Sequence, residues 1–166
     1  MDTWPTKRLF NYLIIINMNY VNIKISNADL PKPFIVMNDW MNKDRIRHGE
    51  ANGYCAVSKK YSCYGKNYND MYHDIDIHGW LTLSESLADC KEWFPHIYNA
   101  YLQLEWTHAD DDVRIFWFDT AHPWDTKAER DKDAVEREAR YLQKQLLQFY
   151  VPTKEEWREA QARQDY

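Results

Sequence analysis

The sequence lacks long apolar runs, paired-cysteine motifs and internal repeats, and each absence excludes a class of protein. Its longest aliphatic run, Leu13–Ile16, is far short of the roughly 20 residues that a membrane-spanning helix needs. Asparagines interrupt the amino-terminal apolar residues and no small-residue cleavage site follows, so a secretory signal is not expected. The cysteines number 3 and have no Cys-x-x-Cys spacing. We therefore expect a protein of a reducing cytoplasm, without a membrane anchor or a disulfide framework.

Positive charge is scarce as well, and it is unevenly distributed. Lys and Arg number 21 against 26 Asp and Glu, which gives a net charge of −5. Residues 1–66 carry ten basic and five acidic side chains, whereas residues 67–166 carry eleven and twenty-one. Because nucleic-acid binding depends on neutralising phosphates, this acidity disfavours a nucleic-acid partner. The acidic half either docks on a basic partner or only keeps the protein soluble.

Length and composition predict a single domain over residues 1–166. The chain has 166 residues, of which 45% are apolar and 16% aromatic, and it contains no long Gly/Ser linker. Its Trp and Tyr residues, 8 and 12 in number, are many for this length. They supply buried core area, and they could also act as stacking platforms or binding anchors.

Six segments are predicted to be strands, some of them, such as residues 21–25 and 102–106, because apolar and polar residues alternate with a period of two. They are residues 13–18, 21–25, 53–57, 74–83, 102–106 and 113–118. The first two are predicted to pair, and a short acidic turn between the last two predicts an antiparallel hairpin. Both faces of residues 113–118 are apolar, which predicts a central strand covered on both sides. Pro31 and Pro33 predict a loop over residues 27–34.

Helices are predicted in the second half of the chain. An apolar stripe with helical spacing predicts a long amphipathic helix that ends before Pro152; its residues are Val135, Ala139, Leu142, Leu146 and Phe149. Ser84 or Ser86 is expected to cap a short helix that Pro95 ends or bends, and residues 153–156 have capping-box spacing for a final short helix within 153–166. This order predicts an α+β fold, an antiparallel sheet covered by a long C-terminal amphipathic helix.

Two clusters of ionisable residues carry the functional prediction. In an extended His73–Gly79 segment, Ile75 and Ile77 enter the core, and Asp74, Asp76 and His78 share the opposite face. The second cluster follows the apolar run at 116–118 and contains Asp119, His122 and Asp125. If the two segment ends meet, their imidazoles and carboxylates form one polar site.

Several kinds of chemistry are open to such a site. In an acid–base site the catalytic residues would be His78, Asp76, Asp119 and His122. A divalent metal is a second interpretation, with two residues of 74–78 and a partner from 119–125 as ligands. A third is binding alone, with ligand contacts from Asp74, Trp80, Tyr64, Lys66, Trp124 and Asp125. A purely structural interpretation has His78 bonded to Asp76 and Asp119 capping a turn. Cys63 beside a basic turn could also be a nucleophile, although a single cysteine is usually inert.

Four strings occur in order along the chain: Gly53–Val57 (GYCAV), Tyr64–Tyr68 (YGKNY), Ile77–Thr82 (IHGWLT) and Phe118–Asp125 (FDTAHPWD). With the helix after them, they resemble small proteins of bacteriophages and prophages that carry GYVAV, YGK, VHGGLT and FDCAHAGD-like strings. The resemblance covers residues 50–150 and leaves residues 1–40 as variable N-terminal strands. The chain departs from the pattern at Tyr61, where the similar proteins have His, and at Trp80 and Thr120, where they have Gly and Cys.

The resemblance implies a context for the protein. Short acidic phage proteins are often accessory factors that act in the host cytoplasm, where they bind and block a host protein or remove a host signalling nucleotide. The first hypothesis is therefore a phage-type accessory protein that binds and antagonises a host protein, for example one of a defence system. The alternative is a small metal- or His/Asp-dependent hydrolase, or a protein that binds a small ligand or nucleotide.

Overall fold

A computed structural model describes residues 10–16, 19–38, 50–104, 106, 108, 112–118 and 131–164. Its strands are β1 (Phe10–Ile16), β2 (Asn19–Ile25), β3 (Lys32–Met37), β4 (Ala51–Ser58), β5 (Leu83–Ser86) and β6 (Val113–Phe118). Its α-helices are α1 (Leu87–Trp93), α2 (Pro95–Leu102), α3 (Lys132–Leu146) and α4 (Lys154–Gln164). Short 3₁₀ helices occupy Ser62–Gly65, Tyr68–Met71 and Leu147–Phe149. Among the described helices, none is long and apolar enough to span a bilayer.

The main sheet is antiparallel, in the order β3-β4-β6-β5. β6 lies inside it, and Phe118 pairs with Gly53 of β4 while Trp117 pairs with Leu83 of β5. Side chains from both faces of β6 are buried: Val113, Ile115 and Trp117 on one side, Phe116 and Phe118 on the other. The predicted central, covered strand is therefore confirmed, because a strand with two apolar faces can bury both only inside a layered sheet.

Helices cover both faces of this sheet. α3 packs on β3 and β4, and its buried residues are Val135, Ala139, Leu142 and Leu146, as the apolar stripe predicts. The predicted α+β fold, an antiparallel sheet with a long C-terminal helix across it, is thus confirmed. On the opposite face, α1 and α2 bury Leu87, Cys90, Ile97 and Tyr101 against the sheet. Sequence analysis did not predict this second layer.

The β1–β2 hairpin forms a separate two-stranded sheet, as predicted from its alternating pattern. Ile16 pairs with Asn19, so β2 begins at Asn19, two residues before the predicted strand at 21–25. α4 packs on β2, where Ile23 and Ile25 are buried in the same cluster as Ala160. The hairpin and the last helix therefore extend the core on the α3 side of the main sheet.

Capping residues fix where the helices begin. Ser86 Oγ accepts a hydrogen bond from the Asp89 N–H at 3.1 Å, which confirms Ser86 as the cap of α1. Thr153 Oγ1 accepts from the Glu156 N–H at 3.1 Å, and Glu156 Oε1 accepts from the Thr153 N–H at 3.2 Å. This reciprocal pair is the predicted capping box of the final helix.

Two predicted segments are wrong, because in each case a neighbouring part of the sequence determines the structure. The described residues of 102–106 do not form a strand: Leu102 ends α2, which Pro95 begins, because proline with its fixed φ is well suited to a first helical turn. The 113–118 strand pairs with β4 and β5 and not with these residues. The loop at 27–34 ends early, since β3 begins at Lys32 and contains Pro33, which an edge strand tolerates.

Residues 74–78 lie along α3 and not in the sheet, which corrects the predicted strand at 74–83. Only Leu83, at the end of that range, begins a strand. The predicted alternation of burial is nevertheless present: Ile75 and Ile77 are 5% and 4% exposed, whereas Asp74 and Asp76 are exposed. The segment therefore buries alternate side chains, and no strand of the described residues bonds its backbone.

Side chains of α3 and of the 3₁₀ helix after it bond the backbone of this segment, as a neighbouring strand would. Gln145 Nε2 donates to the Asp76 carbonyl at 2.6 Å, and Gln145 Oε1 accepts from the Asp76 N–H at 2.6 Å. Two further bonds flank this pair: Gln148 Nε2 donates to the Asp74 carbonyl at 3.1 Å, and the His78 N–H donates to Glu138 Oε1 at 2.9 Å. The segment thus runs antiparallel to α3, and one carboxamide bonds both the N–H and the C=O of a single residue, as a neighbouring strand would.

Gln145→Ala should lower the free energy of unfolding by about 1 kcal/mol, because it removes a donor and an acceptor from a backbone that has no strand beside it. Urea denaturation would measure this change. Lys144→Ala is the matched control, since Lys144 is the exposed neighbour on the same helix and its loss should change stability by less than about 0.5 kcal/mol. Equal effects of the two substitutions would show that the carboxamide does not hold the segment.

Candidate functional site

Two concave surfaces lie on either side of the 74–82 segment. The first, which we call the polar hollow, has a volume of about 270 Å³ and is lined by Asp76, Ile77, His78, Phe118, Ala134, Val135 and Glu138. The second, the aromatic cleft, has a volume of about 360 Å³ and is lined by Tyr68, Asn69, Met71, Tyr72, Ile75, Gly79, Trp80, Leu81 and Thr82. The stretch that sequence analysis singled out therefore forms a wall of both.

The polar hollow brings two of the predicted catalytic residues to the end of β6. Asp76 and His78 line it together with Phe118, the residue that directly precedes Asp119. The chain therefore enters its second ionisable cluster at the hollow that holds the first. Four predicted site residues lie outside the described part of the chain, and the joint site stays a prediction; they are Asp119, His122, Trp124 and Asp125.

Glu138 joins the polar hollow from α3. Its Oε1 accepts the His78 N–H at 2.9 Å, so a second carboxylate reaches the hollow beside Asp76. The His78 side chain is half-buried and the Asp76 side chain is exposed. Among the residues that the structure describes, no group of three His, Cys, Asp or Glu side chains is placed to hold a metal ion. One imidazole and two carboxylates thus line the same hollow, and such groups can exchange a proton or bind a polar ligand.

The aromatic cleft is built around three exposed rings on an apolar floor. Tyr68 and Tyr72 come from the 3₁₀ helix at 68–71 and the residue after it, and Trp80 comes from the turn beyond the 74–78 segment. Tyr72 is 53% exposed and Trp80 is 55% exposed, and their ring centroids lie 5.7 Å apart. Met71 and Ile75 are buried beneath them. Two large rings thus face solvent side by side although a core lies directly below.

The backbone at Trp80 is strained. Its φ is 64°, directly after Gly79 at 67°, and it is the one non-glycine residue with positive φ in the described part of the chain. Such a conformation costs a bulky residue on the order of 1–3 kcal/mol and persists only where the surroundings fix it. The Trp80 N–H donates to the Ile77 carbonyl at 3.0 Å, which closes the turn. The turn therefore keeps the Trp80 indole exposed to solvent at a cost to stability.

An Asn67–Asp70 capping box holds the tyrosine side of the cleft. The Asn67 N–H donates to Asp70 Oδ2 at 3.2 Å, and Asn67 Oδ1 accepts from the Asp70 N–H at 3.2 Å. This pair fixes the start of the 3₁₀ helix and hence the position of Tyr68. Sequence analysis missed Tyr68 and Tyr72, although their spacing of four residues, which favours one face of a helical turn, was a usable signal.

Two predicted ligand contacts, Tyr64 and Lys66, lie beside the core and not on the lining of the cleft or the hollow. Lys59 Nζ is 5.8 Å from the centre of the Tyr64 ring. Lys66 Nζ is 5.5 Å from the centre of the Phe149 ring. These cations thus stack on the protein's own aromatic rings. A ligand role for Tyr64 and Lys66 would require a site outside both concave surfaces, and it stays a prediction.

The three cysteines are free and fully buried. Burial raises the pKa of the Cys63 and Cys90 thiols from 9.0 to about 12, and it also raises the pKa of Cys55. Because the thiolate is the nucleophile, a thiol that keeps its proton at neutral pH is a poor one. The geometry therefore disfavours the cysteine-nucleophile interpretation and is typical of structural cysteines.

Comparison with protein-family models, curated proteins and solved structures finds no match to this chain. No relative thus assigns a role to the hollow or the cleft. The function of the chain must be inferred from the side chains that line them.

Proposed function

We propose that this chain is a phage-type accessory protein that acts by binding a host protein, and that the aromatic cleft is its recognition surface. The observation that carries the proposal is the Trp80 indole, which is more than half exposed beside Tyr72 on a strained backbone. Strain of this kind is retained where a site requires it, because folding alone would select against it.

The chemistry of the cleft suits protein recognition. Trp and Tyr dominate the binding energy of many protein interfaces, because each buries a large rigid area while its polar atom keeps a hydrogen-bond partner. Tyr68, Tyr72 and Trp80 offer such rings around an open depression, and Asn69 and Thr82 add polar groups to its lining. A partner that inserts a side chain here would cover rings that now face water.

The four phage-like strings and the acidic second half favour a host partner. Residues 67–166 carry the excess of carboxylates, and the cleft lies at the beginning of this half. Antagonism would then follow from occupation of a surface that the host protein needs, and would require no chemical step. Burial raises the pKa of the Cys63 and Cys90 thiols, which makes them poor nucleophiles, and this agrees with a protein that acts by binding.

A photo-crosslinking amino acid at position 80 tests the proposal in bacterial cells that express the protein. We expect one discrete host protein to be crosslinked, and excess wild-type chain to compete, whereas the Trp80→Leu chain should compete at least tenfold less well, since removing a central aromatic anchor typically costs more than about 1.4 kcal/mol. The matched control places the crosslinker at Trp93, which is 69% exposed on α1, away from the cleft. Crosslinking that does not distinguish the two positions, or competition by Trp80→Leu equal to wild type, would contradict the proposal.

A hydrolase or small-ligand protein is the second candidate, and the polar hollow favours it. Asp76, His78 and Glu138 line one depression at the residue that precedes Asp119. In that case hydrolysis of signalling nucleotides, followed by chromatography, should fall by about 100-fold or more in His78→Ala, because general acid–base groups contribute at least that much. His122→Ala should lower the hydrolysis rate to a similar degree. His96→Ala on α2 is the control. Unchanged activity in both variants would exclude this candidate, and loss of folding in His78→Ala would assign His78 a structural role.

A further inference from the structure

We infer that the aromatic cleft receives an arginine side chain from an extended segment of its partner. The inference rests on the proposed binding function and specifies the chemistry of the partner. It is carried by the charges around the cleft, by the free ring faces inside it and by its size.

Charge around the cleft is of one sign. The sequence from Asn67 to Cys90 has no Lys or Arg, and its charged side chains are Asp70, Asp74, Asp76, Glu85 and Asp89. Asp70 lies between the lining residues Asn69 and Met71, Asp74 precedes the lining residue Ile75, and both aspartates are exposed. A cation that stacks on one of these rings is therefore attracted by carboxylates that adjoin the lining of the cleft.

No lysine or arginine of the described residues lies over the ring faces of the cleft. Lysines stand over aromatic rings elsewhere, in the pairs Lys59–Tyr64, Lys66–Phe149 and Lys91–Tyr98. The rings of Tyr68, Tyr72 and Trp80 have no such pair in the described part of the protein. Since a cation is attracted to the face of an aromatic ring, these rings offer that interaction to a partner.

Arginine fits this arrangement better than lysine does. Its guanidinium is planar, weakly hydrated and able to stack on an aromatic face while its N–H groups donate to a carboxylate. The rings of Tyr72 and Trp80 contact each other, with centroids 5.7 Å apart and planes tilted by 40°, so a guanidinium would stack on the outer face of one of them. A volume of about 360 Å³ is near the lower end of the roughly 300–1,000 Å³ of ligand pockets, which suits one long side chain and not a folded element.

The probes are two acetylated, amidated peptides, Gly-Ser-Arg-Ser-Gly and the same sequence with citrulline in place of arginine. Citrulline keeps the shape of the side chain and removes its charge. Titration followed by the indole N–H resonances suits weak binding, and the Trp80 resonance is assigned by its absence from the Trp80→Leu protein. We expect the arginine peptide to shift this resonance and to bind about tenfold more tightly than the citrulline peptide, as expected for the loss of about 1.4 kcal/mol.

Variants separate the contributions of ring and carboxylate. Trp80→Leu should weaken binding of the arginine peptide about tenfold, whereas Trp93→Leu should leave it unchanged. Asp74→Asn should weaken binding and reduce its dependence on salt, and Glu92→Gln, an exposed acid on α1, is the matched control. Equal affinity for the two peptides, or equal effects of Asp74→Asn and Glu92→Gln, would overturn the inference. Free arginine amide that binds as tightly as the peptide would overturn the claim of an extended segment.

These outcomes are distinct from failure of the proposed function. If position 80 still crosslinks a host protein that the wild-type chain displaces, but the arginine peptide shows no preference over citrulline, the binding function stands and the arginine inference falls. If no host protein is crosslinked in a way that depends on Trp80, the proposed function itself fails.

Discussion

Gly53→Ala should lower the free energy of unfolding by about 3 kcal/mol, at the upper end of the usual cost of overpacking a core. Gly53 of β4 pairs directly with Phe118 of β6. A Cβ at position 53 would overlap the Phe118 ring at Cζ and Cε1. Phe118 is fully buried on the side of the sheet that α3 covers, so its ring cannot turn away without displacing the core.

Gly65→Ala is the matched control for this substitution. Gly65 is exposed, and a Cβ there would meet no atom within 4 Å. We expect its effect in urea denaturation to be below about 0.5 kcal/mol. In a Phe118→Leu background the cost of Gly53→Ala should fall, because the smaller side chain yields the space, and the double-mutant cycle measures that coupling. A cost unchanged by Phe118→Leu would mean that the overlap is not its cause.

Phe118 also connects this packing to the polar hollow. Its ring is at once the neighbour of Gly53 and part of the lining that holds Asp76 and His78. A glycine opposite Phe118 therefore leaves the space that its ring occupies. Gly53→Ala would be expected to disturb both the core and the site at the end of β6.

The parts of the fold that were predictable are those that local sequence determines. The stripe at 135–149 had to be a helix with one buried face, and two apolar faces at 113–118 had to be buried on both sides. The caps at Ser86 and Thr153 depend on side chains three residues away, which the sequence displays directly.

The partners of a segment were not predictable in the same way. The alternation at 74–78 predicts which side chains are buried, and it did so correctly for Ile75 and Ile77. It does not say what bonds the backbone, and Gln145, about seventy residues further along the chain, does so where a strand was expected. At 102–106 the same pattern coincided with the end of a helix whose start at Pro95 decided the structure.

The candidate site was predicted in part for the same reason. Asp76, His78 and Trp80 were named from their spacing, and they do line the two concave surfaces. Tyr68 and Tyr72 were missed, because a single 3₁₀ turn leaves little periodicity to read. The φ of 64° at Trp80 is one that glycine adopts without strain, so Trp80 has the conformation typical of a glycine with an indole attached.

Trp80→Gly should therefore be more stable than Trp80→Ala by about 1 kcal/mol, although both lose the same indole. Alanine retains the Cβ that the left-handed backbone penalises, whereas glycine relieves it at some cost in chain entropy. Urea or thermal denaturation of the pair measures the difference directly. If alanine were as stable as glycine at position 80, the backbone there would not be strained.

At position 93 the expected order of stability is the opposite, with alanine more stable than glycine, so this position is a direct control. It is an exposed tryptophan in α1, where glycine is less favourable than alanine by about 1 kcal/mol. The two glycine–alanine differences should therefore have opposite signs and lie about 2 kcal/mol apart. A Trp80→Gly chain that folds as well as the parent but no longer competes for the crosslinked host protein would show that the indole is kept for binding. If Trp80→Gly instead lowers the free energy of unfolding by several kcal/mol, the indole stabilises the core. Its exposure would then no longer mark the cleft as a recognition surface.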